Sequence, residues 1–158
     1  MDLPFLARAL HVLGVVVWIG GLWMVTAVIL PAVRRGDFGP DRLAAFHAVE
    51  RRFVWHARAA LLVVGASGFA MTAELDVWWR FADPAYWWMH AMVALWTIFL
   101  LILFVGEPLV LHRLFPAWVR HDEARAFAWF QRFHILLLVM SCATVLGAVA
   151  GAHGWTPP

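Results

Sequence analysis

The sequence predicts an all-α integral membrane protein, a single domain built as an up-down bundle of four helices. Three observations lead there. The 158-residue chain is 64% hydrophobic with a mean hydropathy of +0.78, well above the roughly 45–50% apolar share of soluble domains. Four apolar runs reach the ~20 residues of helix that cross a hydrocarbon core; they cover about 5–33, 53–73, 86–111 and 133–152. The twelve basic residues, all arginine, are divided very unevenly between the connections.

The first run is about twice the length of a secretory h-region, which spans roughly 7–15 residues. Asp2 precedes it and Arg34 and Arg35 follow it, so it is expected to stay as an anchor with its amino end outside. Gly36 to Asp41 forms a turn-rich connection. Asp41 is placed to cap a short interfacial helix carrying His47 and Glu50. The second run follows, and Asp83–Pro84 marks the start of the third helix. Glu107–Pro108 predicts a break or kink near the inner end of that helix. The fourth run closes the bundle.

Charge placement orients these helices. Arg34, Arg35, Arg42, Arg51 and Arg52 lie in the first connection, with Arg58 just inside the second run. Arg113, Arg120 and Arg125 lie in the third connection, with Arg132 at the head of the fourth run. Only Arg8 and Arg80 fall on the other side, together with Asp2, Glu74, Asp76 and Asp83. This bias predicts cytoplasmic arginine-rich connections and both termini outside. It accounts for the arginines without nucleic acid; the expected partner is the lipid bilayer. The single cysteine, Cys142, excludes an internal disulfide. Trp78, Trp79, Trp87, Trp88 and Trp155 suit an outer aromatic belt, and Trp55, Trp118 and Trp129 an inner one. Trp18 and Trp96 lie deeper.

Histidine carries the functional expectation. An ionisable side chain within the bilayer is costly without a partner. His11 and His90 each stand about one turn inside the first and third runs, while His56 and His134 open the second and fourth. In an up-down bundle these pairs are diagonal. With neighbouring helices ~8–10 Å apart, diagonal partners lie ~11–14 Å apart, a reach that suits two imidazoles on one haem iron. Small residues spaced along each helix predict inward faces: Gly14, Trp18 and Gly21 with His11; Ala59, Ala60, Val63 and Ser67 with His56. The same spacing groups Ala94, Thr97 and Leu101 with His90, and Leu138, Ser141, Val145 and Ala148 with His134. The reading is therefore one or two b-type haems in a redox protein that serves a quinone or a periplasmic partner. His11 and His90 are ligands of an outer haem, and His56 and His134 of an inner one. Arg58 and Arg132 then hold the inner propionates, or Arg58 pairs with Glu107 instead. His153 is placed to supplement the outer site, whereas His47, His112 and His121 read as interfacial or loop residues. Copper is the alternative, because Met89, His90 and Met92 combine the thioether and imidazole ligands that suit Cu(I).

The stretch from Arg8 to Leu22, with His11 followed by Trp18, Gly20 and Gly21, resembles the opening helix of the copper resistance protein D family. It is also similar to HemJ-type protoporphyrinogen oxidases. Trp88-Met89-His90 resembles their third-helix Trp-Leu-His, and Gly147 to Gly154 looks like the end of the copper resistance core. The resemblance implies a four-helix inner-membrane bundle with haem b at His11 and His90. HemJ-type enzymes usually carry a lysine two residues after the third-helix histidine, where this chain has Met92.

Overall fold

The computed structural model describes residues 2–155, apart from the side chain of His112. Among these residues all regular structure is helical. Helix α1 (Leu3–Arg35) opens on Pro4, whose missing N–H is harmless in a first turn, and passes through a π-helical stretch at Val25–Ile29. It stops at Gly36, which takes φ 82° and caps the last carbonyls; a side chain would be strained in that left-handed conformation.

Helix α2 (Arg42–Glu74) is capped by Asp41, whose Oδ1 accepts from the Ala44 N–H at 2.9 Å. The expected cap is thus present, but the helix it starts is not short. No glycine, proline or turn separates His47 and Glu50 from the second apolar run, so one helix of 33 residues carries both. The outer connection holds 3₁₀ turns at Trp78–Ala82 and Pro84–Tyr86, and Asp83 caps the second. Helix α3 (Trp87–Leu101) continues without a break as a π-helix over Ile102–Leu114, with Pro108 inside it. A short α4 (Phe115–His121) follows, and α5 runs Glu123–Ala152. The last helix begins well before the expected residue 133. Asp122 caps the Arg125 N–H, and an amphipathic first stretch buries Ala126 and Phe127 while exposing Arg125.

Among the described residues, four helical spans are long and apolar enough to cross a membrane: Leu3–Arg35, Arg42–Glu74, Pro84–Leu111 and Glu123–Ala152. Their outward faces are rich in exposed aliphatic residues such as Val16, Leu62 and Leu146, as lipid solvation requires. Each span packs beside its chain neighbour, α1 and α2 most extensively, and α1 also meets α5. The first and third spans therefore face each other across one diagonal, and the second and fourth across the other. Glycines set the close approaches. Gly14 and Gly21 seat Val64 and Phe53 of α2, Gly65 seats Trp96, and Gly147 and Gly151 seat Trp87 and Trp88. Two of the expected belt tryptophans thus work as packing residues, whereas Trp78, Trp79 and Trp155 are exposed.

The inward faces agree with the sequence reading on α1, where Gly14 and Trp18 are buried and Gly21 half-buried, and in part on α5, where Ser141 is buried and Leu138, Ala148 and His134 are half-buried but Val145 is exposed. They differ in part on α2 and throughout on α3. On α2 the expected Ala60 and Ser67 are buried, in a stripe with Phe46, Glu50, Val54, Ala57, Leu61 and Val64, but Ala59, Val63 and His56 are exposed. On α3 it runs Met89, Leu95 and Phe99, while His90, Ala94, Thr97 and Leu101 are all exposed. The physical reason is bulk. The large side chains of α3 fill the interior, and its small and polar stripe turns outward.

Candidate functional site: a cavity among the four spans

A cavity of about 230 Å³ lies between the four spans, toward the arginine-rich end. Trp18 and Leu22 of α1, Ala57 of α2, Phe99 of α3 and Leu137 of α5 surround its deeper part. Nearer the connections its floor is an aromatic cluster. Phe46 packs on Phe115, Phe127 and Phe130, with ring centroids 6.1, 6.0 and 5.3 Å away. The polar residues on its wall are Trp18, Glu50, Glu107 and His134. The Trp18 indole Nε1 is buried and has no hydrogen-bond partner, and Phe99 meets its ring edge-on at 4.8 Å. His134 gives its Nδ1 proton to the Phe130 carbonyl at 3.0 Å. A carbonyl only accepts, so in the neutral ring Nε2 carries the lone pair.

Arg58 holds Glu107, one of the residues of that wall, from behind. Its Nη2 donates to Glu107 at 2.7 Å, and Nε and Nη2 both donate to the Leu103 carbonyl at 3.0 and 2.8 Å. The Leu103 carbonyl needs this partner for a backbone reason. In π register its donor would be the N–H five residues on, and that residue is Pro108, which has none. The guanidinium of α2 therefore replaces the hydrogen bond that proline removes. The Trp55 and Phe104 rings flank it, each 5.4 Å away. The sequence offered this pair as an alternative to propionate binding, and in the structure the ion pair forms. The role of the carbonyl was missed; the signal lay in the spacing of Leu103 and Pro108.

The sequence-predicted ligands are distributed as follows. His11 is half-buried at the α1–α2 contact, with Nδ1 3.0 Å from the Val64 carbonyl and 3.3 Å from Ser67 Oγ, and its ring lies over Gly68. His90 is exposed and meets Phe81 edge-on at 5.5 Å. The two rings thus have partners on different elements. His134 lines the cavity, whereas His56 is exposed and bonded to its own helix at Arg52. Arg132 is exposed too. Met89 is buried while adjacent His90 is exposed, and Met92 is half-buried, so the copper trio does not converge on one point. His153 is exposed and bonds its own helix at Val149. Among the described residues no group of three or more His, Cys, Asp or Glu is gathered as a metal site.

Fold and cavity define a multi-pass helical membrane protein. Comparison with family models, with curated proteins and with solved structures finds no match for this chain.

Proposed function

We propose that the chain is a b-type haem protein of a bacterial inner membrane that serves electron transfer, with both termini periplasmic and His11 as an axial ligand. The observation that supports this is the hydrogen bond from His11 Nδ1 across to the Val64 carbonyl. Histidines that bind a metal characteristically donate their other ring N–H to a carbonyl or carboxylate, which fixes the tautomer and leaves Nε2 for the metal. Ser67 Oγ stands at the same nitrogen, and Gly68 leaves room for the ring. The haem, when bound, supplies a one-electron redox centre. The orientation rests on the ten arginines that share one side of the chain.

The support is for one haem, at the outer level. The inner histidines are not brought together, and the cavity at His134 is below the roughly 300–1,000 Å³ of pockets that enclose cofactor-sized ligands. Arg58 is already engaged by Glu107 and Leu103.

Protein purified after expression with ample haem is expected to show a Soret band, and His11→Ala is expected to abolish it. His56→Ala and Arg132→Ala should leave the spectrum unchanged, since both side chains are exposed. A colourless wild-type protein ends the proposal. His90→Ala tests the second ligand: a switch from a low-spin to a high-spin spectrum would assign His90 to the other axial position.

A further inference from the structure

We propose that the cavity among the four spans holds one acyl chain of an anionic phospholipid, whose phosphate rests on the arginines between the third and fourth spans. This inference does not rest on the haem assignment. Shape and lining select the chain. The residues around the cavity run from Trp18 to Ile29 along α1, roughly 15 Å of helix. A volume of about 230 Å³ is therefore drawn out parallel to the spans, a slot that a chain follows and a compact ring does not. Glu50, Glu107 and His134 stand in the wall, yet the surface that meets the cavity is almost wholly apolar. Hydrocarbon leaves no polar group unsatisfied there.

The slot opens to lipid at its inner end. Helix α5 packs closely against α3 and α4, while the π-helical segment between them turns to α2. In that gap Val110 and Trp129 line the cavity and are 43% and 50% exposed. Trp129 stacks on Phe133, and Trp118 of α4 packs against it at 5.5 Å, a place tryptophan takes at the level of lipid headgroups.

Charge selects the headgroup. The connection beside this opening carries Arg113, Arg120 and Arg125, all exposed. Arg125 stands one turn before Trp129 on the same face of α5, and Arg113 follows Val110 by three residues. Both lie beyond the opening toward the arginine-rich surface, where the phosphate sits when its chain is in the slot. The carboxylates of the connection are engaged elsewhere: Glu123 pairs with Arg42 at 3.4 Å, and Asp122 accepts from the Arg125 backbone N–H. Among the described residues none of the three arginines forms an ion pair. Guanidinium matches the geometry of phosphate oxygens. A zwitterionic headgroup brings its own cation, so a lipid with net negative charge is preferred.

The test is native mass spectrometry of the full chain, released from micelles that contain equal amounts of phosphatidylglycerol and phosphatidylcholine. Wild type should retain one phosphatidylglycerol per chain in preference to phosphatidylcholine. One arginine near an anionic headgroup is worth about fivefold in affinity, so Arg125→Gln should weaken retention about fivefold. Adding Arg113→Gln and Arg120→Gln should abolish the preference. Arg52→Gln, an exposed position on a helix that does not flank the opening, should match wild type. Ala57→Phe and Val25→Phe fill the slot from two walls, and each should abolish retention with the arginines still in place. Equal or greater retention of phosphatidylcholine, or a preference that survives the triple change, would overturn the proposal. So would retention by either folded filling variant, or displacement by excess inorganic phosphate, since both place the binding at the arginines alone. If both filling variants fail to fold, the arginine variants still decide. His11→Ala protein should retain the lipid as wild type does, which keeps this result separate from the haem spectrum.

Discussion

Glu107→Leu is expected to destabilise the bundle by about 3–5 kcal/mol, the usual consequence of leaving one charge of a buried pair uncompensated. Its partner Arg58 is 19% exposed and Glu107 11%, so water replaces little of the lost contact. Arg58→Leu should cost at least as much, because it strands the Glu107 carboxylate and also leaves the Leu103 carbonyl without its donors. An unsatisfied buried carbonyl adds about 1–3 kcal/mol. Removing both charges together should be milder than either single change. Pro108 provides the discriminating control. Pro108→Ala restores a backbone N–H and lets Ile102–Leu114 return to α register, where the Leu103 carbonyl has its own donor in Glu107 N–H. In that background Arg58→Leu should lose the additional carbonyl penalty. Denaturant unfolding in mixed micelles measures all five variants. Equal effects of Arg58→Leu with and without Pro108 would show that the guanidinium acts on the carboxylate alone.

This arrangement illustrates what the sequence could and could not disclose. Helix number, the cap at Asp41, and the charged pair at Arg58 and Glu107 were legible because each depends on local spacing or on hydropathy. The inward face of α3 and the outward place of His56 on α2 were not. Their assignment followed the small residues spaced with each histidine, but His56 meets the Arg52 carbonyl one turn back and His90 rests on Phe81. A ring that finds a partner on its own helix or beside a connection has no need of the interior. On α3 the small stripe through Ala94 and Thr97 looked like a packing seam. Yet α3 packs by inserting Trp87, Trp88 and Trp96 over glycines of its neighbours, so the small partners lie on α2 and α5. A single helix read alone cannot reveal which partner supplies the glycine. The cavity was invisible for the same reason, since it is a property of four faces together. Trp18 was noted as deep, but its unpartnered N–H appears only when the neighbours are in place.

The glycine seats give the second large effect, and its sign reverses with position. Gly65→Ala is expected to destabilise the protein by about 1–3 kcal/mol, the usual cost of overpacking a close contact. A Cβ there would lie 2.7 Å from Trp96 Cε2 and 2.9 Å from its Nε1. The indole cannot simply slide away, because that Nε1 donates to the Leu61 carbonyl on the same helix at 2.9 Å. Yielding space means giving up the hydrogen bond or prising α2 from α3. Gly20→Ala should act in the opposite direction. Nothing stands within 4 Å of a Cβ at Gly20, so the substitution only removes backbone freedom from the middle of a helix, worth about 0.5–1 kcal/mol in favour of folding. The two changes are chemically identical and both lie on long helices, so helix propensity predicts the same stabilisation for each. Opposite shifts in unfolding midpoint would therefore isolate the packing contribution of the Trp96 seat. A stabilising Gly65→Ala would show that α2 and α3 are not held at this distance by that contact.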